Sequence, residues 1–205
     1  MTDRRNHWET VYSSKAVDQV SWFQQHAASS LRLIKEGCAD KDAHIIDVGG
    51  GASVLVDDLL DAGYRNLTVL DLAESALATS RARLGARAQS VQWIAADITR
   101  AELPAARYDV WHDRAVFHFL TDPADRARYV AQVLKSVKPG GHVIVAAFGP
   151  GGPLQCSGLD VVRYAPDALH AEFGAPFHLL QHQTETHLTP AGKEQEFVYC
   201  FCVRT

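Results

Sequence analysis

The chain has 205 residues, with 20 Lys and Arg against 24 Asp and Glu, so its formal net charge is −4 at pH 7. This length suits one domain around a single core, and the charge argues against broad nucleic-acid binding. Hydrophobic residues make up 47% of the chain, yet no apolar run reaches the roughly 18 residues of a membrane span. The polar start MTDRRNHWET does not resemble a secretion signal, so we expect a cytoplasmic protein without a membrane partner.

The first half of the chain alternates between short apolar runs and helical patterns. Residues 44–48 predict a strand that stops at three glycines, and residues 53–62 carry leucines at helical spacing up to Gly63, which is suited to end a helix. Further elements are predicted as strands at 67–71, 91–96 and 108–112 and as a helix at 74–86.

The middle of the chain continues the alternation. Between residues 123 and 138, valines and a leucine recur at helical spacing, and Pro139-Gly140-Gly141 is expected to end this helix. Residues 142–148 are almost continuously apolar, which is typical of a strand covered on both faces. Five strands separated mostly by helices indicate a parallel sheet with right-handed crossovers.

The last part predicts a different strand arrangement. After a short helix at about 167–173, strands are expected at about 177–184 and 196–204, and the link between them is short for a helical crossover. We therefore expect an antiparallel pair at one side of the sheet. The predicted fold class is α/β: a doubly wound, seven-stranded, mostly parallel sheet with an antiparallel last strand and helices on both faces.

A glycine-rich turn, Asp47-Val48-Gly49-Gly50-Gly51-Ala52-Ser53, follows the first strand. Such a turn lets a ligand approach the backbone and the N–H groups that begin the next helix. The dinucleotide pattern GxGxxG fails at its last position, where Val54 stands in place of glycine, and no Walker pattern is present.

Acidic residues close the next two predicted strands. Asp71 follows Gly51 by twenty residues and suits ribose hydroxyls, whereas Asp97 ends the third strand and suits an exocyclic amine. A single acid at a strand end is more often a helix cap. Together with Asp47, these residues make three acids at strand ends in register with a glycine turn. This arrangement predicts a nucleoside pocket.

On these residues the chain resembles the class I S-adenosylmethionine-dependent methyltransferases, which have a Rossmann-like fold. The resemblance is strongest over residues 44–148, through IIDVGGGAS, VLDLAESAL, WIAADIT, YDVWHDRAVFHFL and LKSVKPGGHVIVAAF. It implies S-adenosylmethionine as cofactor, with the glycines under its methionine part, Asp71 at the ribose, Asp97 at the adenine amine and Asp47 ordering the loop. The cofactor contacts implied are Trp22, Asp47, Gly49, Gly50, Gly51, Asp71, Leu72, Asp97, Ile98 and His112. Ser53 replaces a third spaced glycine and is expected to cap the helix.

Residues 1–36 resemble the N-terminal cap segment of small methyltransferases, including some protein-lysine methyltransferases, through HWETVYSSK and SWF. The resemblance implies an aromatic residue near the sulfonium, for which Trp22 and Phe23 are candidates. Alternatively, Trp8, Tyr12, Trp22 and Phe23 only pack a helix onto the sheet.

The segment after the fourth strand, residues 111–118, faces the methyl group in that family. His118 is the candidate general base, with a loop-holding role as its alternative. His112 and Asp113 are expected to form an orienting pair, unless Asp113 forms a salt bridge with Arg114.

Residues 149–164 are rich in Gly and Pro and are expected to cover the acceptor. The predicted acceptor contacts are Phe23, Arg114, Cys156 and Arg163, and His187, Thr189 and Gln195 are possible rim residues. The four cysteines form no CxxC pair, so no metal site is predicted. Cys200 and Cys202 share one face of a strand and are expected to pack.

The whole chain, 1–205, is interpreted as one domain: the cap 1–36, the cofactor-binding core 44–148, and a covering loop with the antiparallel pair at 149–205. We expect methyl transfer to a small-molecule acceptor, because no recognition module is evident. A protein-lysine acceptor is the first alternative. Two further alternatives are a non-catalytic nucleoside-binding module and an NAD-dependent oxidoreductase.

Overall fold

The computed structural model describes residues 2–14 and 16–205. Its helices are α1 (Thr2–Ser14), α2 (Ala28–Gly37), α3 (Leu55–Asp61), α4 (Glu74–Leu84), α5 (Pro123–Ser136) and α6 (Pro166–Ala171). Its strands are β1 (His44–Val48), β2 (Asn66–Asp71), β3 (Val91–Ala95), β4 (Tyr108–Arg114), β5 (Val137–Phe148), β6 (Gln155–Cys156), β7 (Leu159–Asp160), β8 (Phe177–Leu188) and β9 (Glu194–Arg204). Within the described ranges, no helix combines the length and apolar character that crossing a bilayer requires.

Seven strands form one sheet in the order β3-β2-β1-β4-β5-β9-β8. The first five are parallel, and β9 pairs antiparallel with both β5 and β8. The doubly wound, mostly parallel sheet with a reversed last strand is therefore confirmed. The order reverses direction at β1 and β4, and ligands of such sheets bind beside that point, outside the carboxyl ends of the strands.

Apolar side chains cover both faces of this sheet. Helices α2, α3 and α4 supply Leu33, Leu59 and Leu77 to one buried cluster, whereas α5 and α6 supply Val133 and Leu169 to the other. Helices thus lie on both faces, as predicted. The strands between them are buried on two sides, which explains their near-continuous apolar runs.

Local signals for the ends of helices had mixed outcomes. Gly63 ends α3 with φ +88°, and the next N–H, of Tyr64, donates to Leu59 O at 3.0 Å, which confirms the predicted stop. Helix α5 ends at Ser136, before the predicted glycines. Val137 is already extended and pairs with Tyr108, because its buried side chain belongs to the sheet. The Pro139–Gly141 turn is an irregular part of β5.

Helix α1 docks on α4 through a contact that the sequence analysis missed. Both carboxylate oxygens of Glu9 accept from the first N–H groups of α4, those of Glu74 at 2.7 Å and Ser75 at 3.1 Å. Unpaired N–H groups carry partial positive charge, so a carboxylate stabilises them. The contact holds the N-terminal helix over the carboxyl ends of β1 and β2.

Candidate functional site

The glycine turn after β1 leaves room only for backbone. Gly49 has φ +71°, and a Cβ there would lie 1.9 Å from Val116 Cγ2. A Cβ on Gly51 would lie 2.4 Å from Asp71 Oδ2. Ser53 Oγ accepts from Leu55 N–H at 3.1 Å, but Val54 holds the N-cap position of α3, so Ser53 lies one residue outside the predicted cap. The turn brings its own amides close to the acidic residue that ends β2.

Asp47 connects this turn to β4 and α2. Its Oδ1 lies 2.7 Å from Nδ1 of His112, whose Nε2 lies 2.8 Å from Ser30 Oγ. The other carboxylate oxygen of Asp47 is buried and has no hydrogen-bond partner in the described residues. This pairing corrects the predicted His112–Asp113 pair, because neighbouring residues in a strand point to opposite faces of the sheet. His112 shares the cofactor side with Asp47, whereas Asp113 does not.

The carboxylates after β2 and β3 lie in one hollow. Asp71 is 7% exposed and accepts from Ala73 N–H at 2.8 Å. Burial raises the pKa of Asp71 to about 7, despite the opposing hydrogen bond from Ala73. Asp97 Oδ1 accepts from the N–H and hydroxyl of Thr99 at 2.9 and 2.7 Å. Both acids line the larger cavity.

Two adjoining cavities occupy this edge of the sheet, with about 830 Å³ and about 580 Å³ of space between atoms, part of which is open to solvent. The larger is lined by predicted cofactor residues Trp22, Gly49, Asp71, Leu72, Asp97 and Ile98, and the smaller by Trp22, Asp47, Gly49, Gly50 and His112. Tyr12, Trp22, Gly49 and Arg114 line both. Gly51 lines neither, and its carbonyl accepts from Ser80 Oγ at 2.6 Å.

An aromatic wall closes the larger cavity. Trp8 of α1 contacts Trp22 and Phe119 edge to face, with ring centroids 5.7 and 5.0 Å apart, and Tyr12 lies 6.1 Å from Trp22. These rings therefore pack the cap segment against the sheet and also line a cavity. Packing and contact with a ligand are thus compatible roles for them. Arg4 and Leu120 also line this cavity, although the sequence analysis did not select them. The spacing of Arg4, Trp8 and Tyr12 on one helix face is the signal that was overlooked.

Arg114 is the charged group that both cavities share. Its Nε donates to Tyr199 Oη at 3.1 Å, and a terminal nitrogen lies 3.4 Å from Glu185 Oε1. The guanidinium also lies over the ring of Phe197, 4.1 Å from its centroid. The anticipated salt bridge with Asp113 is absent, because the two side chains emerge from opposite faces of β4.

Asp113 and His118 do not support the catalytic roles predicted for them. Asp113 is fully buried and accepts from Val116 N–H, Phe117 N–H and Tyr129 Oη–H at 2.8, 3.1 and 2.7 Å. His118 is also fully buried, and its Nδ1 accepts from Phe148 N–H at 3.2 Å. Burial lowers the pKa of His118 to about 3. Neither side chain lines a cavity, so both hold the loop after β4.

The covering loop contributes one of its two candidates. Cys156 is buried and lines the larger cavity. Arg163 is exposed, lines neither cavity and donates to the carbonyls of Pro150 and Gly152 at 2.7 and 3.2 Å, so it holds the loop together. Phe23 lines the smaller cavity. The possible rim residues His187, Thr189 and Gln195 are buried and line neither cavity.

Replacing His118 by asparagine should change the stability of the chain but not the pH dependence of the methyl transfer that the sequence analysis expects. In the folded chain His118 takes up a proton only near pH 3, whereas in the unfolded chain it does so near pH 6.5. Because the unfolded state then holds more protons, the free energy of unfolding of the native sequence falls as the pH falls from about 6.5 towards 3. H118N should flatten this fall in denaturant titrations. If the native sequence shows a pH-dependent change in turnover between pH 6 and 9 that H118N lacks, His118 would again be assigned as the base.

Comparison with known proteins agrees with this geometry. Residues 45–141 match a family model described as a methyltransferase domain. A ubiquinone/menaquinone biosynthesis C-methyltransferase of Roseobacter denitrificans is 32% identical over 125 residues, which cover 57% of this chain and 49% of that protein. The mouse eEF1A lysine and N-terminal methyltransferase is 22% identical over 145 residues, which cover 68% of this chain. The chain spans about a fifth of the length of that relative, 20%.

The fold recurs in solved structures. The 1,6-didemethyltoxoflavin-N1-methyltransferase of Burkholderia thailandensis, with its substrate and S-adenosylhomocysteine bound, superposes with a TM-score of 0.69 at 17% identity, over 100% of this chain and 85% of that one. The fold, the glycine turn with its acids and the family match identify one class of protein. Residues 45–141 match a methyltransferase domain, and the chain shares the fold of S-adenosylmethionine-dependent methyltransferases.

Proposed function

We propose that this chain transfers a methyl group from S-adenosylmethionine to a small-molecule acceptor. One observation carries the proposal: the two cavities meet at Tyr12, Trp22 and Arg114, beneath the aromatic wall of the N-terminal cap. Trp8, Trp22 and Phe119 pack edge to face beside this meeting point. A cleft lined by aromatic and apolar side chains accommodates a small molecule more readily than a folded protein surface.

The residues of the two cavities fit the cofactor. When bound, S-adenosylmethionine supplies an electrophilic methyl group on a sulfonium. Asp71 and Asp97 would accept from its ribose hydroxyls and adenine amine, and the glycine turn leaves space where a side chain would intrude. The unpartnered oxygen of Asp47, buried beside Gly50, suits an ammonium group. Trp22, in both cavities, offers a π face to the positive charge.

Positioning is the main contribution of this chain to the reaction. Alignment of reactants can supply about 7–11 kcal/mol, against roughly 3–5 kcal/mol for a general base. Among the described residues, the one histidine that lines either of these two cavities is His112, and both its nitrogens are engaged by Asp47 and Ser30. We therefore propose an acceptor that arrives as a nucleophile and is held beside Arg114.

Binding of S-adenosylhomocysteine should tighten as pH rises through 7. The ionised form of Asp71 is the better acceptor for ribose hydroxyls, and its pKa of about 7 leaves it mostly protonated at pH 6. From pH 6 to pH 8 the ionised fraction, and with it the affinity, should rise roughly tenfold. Calorimetry across this range measures the change, and D71N should abolish it. An equal slope in D71N would assign the effect to another group.

The relatives support two different acceptors. The Roseobacter protein is, by name, a C-methyltransferase of ubiquinone/menaquinone biosynthesis, and the Burkholderia protein is a 1,6-didemethyltoxoflavin-N1-methyltransferase. The mouse relative is a lysine and N-terminal methyltransferase of the protein eEF1A. The match to a protein methyltransferase keeps a protein-lysine acceptor as the second candidate. The aromatic-lined cleft favours the first.

A labelling experiment distinguishes these candidates. The purified chain is incubated with methyl-labelled S-adenosylmethionine and an extract of the source cells, and the label is followed into protein, nucleic-acid and small-molecule fractions. We expect label in small molecules and formation of S-adenosylhomocysteine. Label in protein would favour the lysine alternative. Cofactor binding without any product would indicate a non-catalytic module, and heat-inactivated chain is the control.

A further inference from the structure

A second group of reactive side chains lies outside the cofactor cavities, between α6 and β9. It consists of His170, Cys200 and Cys202, whose ligand atoms all lie within 4.8 Å of one another. Cys200 Sγ is 3.9 Å from His170 Nδ1 and 4.0 Å from Cys202 Sγ. We propose that this group is a binding site for a thiophilic divalent cation such as Zn²⁺ or Cd²⁺.

The fold explains how these three side chains meet. Alternate residues of β9 point to opposite faces of the sheet, so Cys200 and Cys202 share the face that α6 covers, next to Val198. Leu169 is fully buried and anchors α6 on that face. His170, the next residue, then directs Nδ1 at the sulfurs while its ring stays partly exposed. The sequence analysis assigned the two cysteines to packing because they share one face of a strand.

The distances suit a thiolate site. With metal–sulfur bonds of about 2.3 Å and metal–nitrogen bonds of about 2.0 Å, a tetrahedral ion separates its ligand atoms by roughly 3.3–3.8 Å. The contacts of Cys200 Sγ with Cys202 Sγ and His170 Nδ1, at 4.0 and 3.9 Å, need only a small contraction. The remaining pair, Cys202 and His170, lies within 4.8 Å and would have to approach by up to about 1.3 Å. The fourth position would face solvent at the exposed side of His170.

Charge selects the class of ion. Binding breaks two S–H bonds, releases two protons to solvent and forms two metal–sulfur bonds and one metal–nitrogen bond, with no change in oxidation state. A divalent ion with two thiolates and a neutral imidazole has no net charge, whereas a monovalent ion would leave one negative charge. Cys200 and Cys202 are 1% and 0% exposed, and a buried net charge is costly. The bound ion would join α6, which follows the covering loop, to the sheet.

Titration of the reduced, metal-free chain with Cd²⁺ tests the site. We expect ultraviolet thiolate-to-cadmium absorption that saturates at one equivalent, release of two protons per ion, and a raised melting temperature. C200S and C202S should lose the absorption, H170Q should weaken binding at least about tenfold, and C38S, at a cysteine outside the group, should behave like the native sequence. Binding of S-adenosylhomocysteine checks that each variant is folded.

The result that would overturn the site is equally defined. Absence of the absorption in the native sequence, or its persistence in the double variant C200S/C202S, contradicts the proposal. If the cysteine variants do not fold, cadmium-113 NMR of the native sequence decides, because its chemical shift reports the ligand atoms. Two sulfurs and a nitrogen support the site, and oxygen ligands alone refute it.

Discussion

Replacing Asp71 by alanine is expected to weaken binding of S-adenosylhomocysteine by roughly 100-fold. A hydrogen bond to a charged group contributes about 1.5–3 kcal/mol, and each 1.4 kcal/mol is a factor of ten in affinity. Losing two ribose contacts at the lower value costs about 3 kcal/mol, which corresponds to roughly 100-fold. The carboxylate is nearly buried, which limits replacement of these contacts by water. Isothermal titration calorimetry at pH 8, where Asp71 is ionised, measures the effect.

Two variants separate the ribose contact from other effects of the substitution. D71N retains the shape and one acceptor oxygen, so a loss of about tenfold is expected from the removed charge. D61N changes an aspartate at the end of α3 whose partner is the exposed Arg87, and it should leave affinity unchanged. Affinity in D71A within threefold of the native value would remove Asp71 from the cofactor site.

Replacing Gly49 by alanine is expected to destabilise the domain by about 3 kcal/mol and to abolish measurable cofactor binding. Two costs combine there. An alanine at φ +71° is strained by about 1–2 kcal/mol, and its Cβ would lie 1.9 Å from Val116 Cγ2, which must move. Because Gly49 lines both cavities, a shift of this turn also changes the cofactor site. Urea denaturation and calorimetry measure the two consequences.

Gly63 provides a matched control, because it has φ +88° but a Cβ there would meet nothing within 4 Å. G63A should therefore show only the strain of the left-handed backbone, about 1–2 kcal/mol, with cofactor affinity retained. The double variant G49A/V116A should recover the part of the loss that comes from the clash. If G49A and G63A lose equal stability and both bind cofactor, the close approach of Val116 does not restrict the residue at position 49.

Residues near one another in the chain were predicted well. The strands β1 to β5, the turn at Gly49 and the acids at positions 71 and 97 follow from local periodicity and from the parallel topology that it implies. In such a sheet the carboxyl ends of β1, β2 and β3 must meet at one edge. The nucleoside pocket therefore followed from order along the chain, and the cavity lined by Asp71 and Asp97 agrees with it.

Partners distant in the chain were decided only by packing. Whether His112 faces Asp47 or Asp113 depends on the phase of β4 relative to its neighbours, and the depth of His118 depends on the loop that covers it. Likewise, His170 meets Cys200 because α6 lies across β9. Local sequence thus determined the class of fold, the glycine turn and the placing of the acids at positions 71 and 97 at one edge of the sheet. Tertiary structure determined which polar groups are exposed to a ligand, because burial and opposing faces arise only when separate elements pack together.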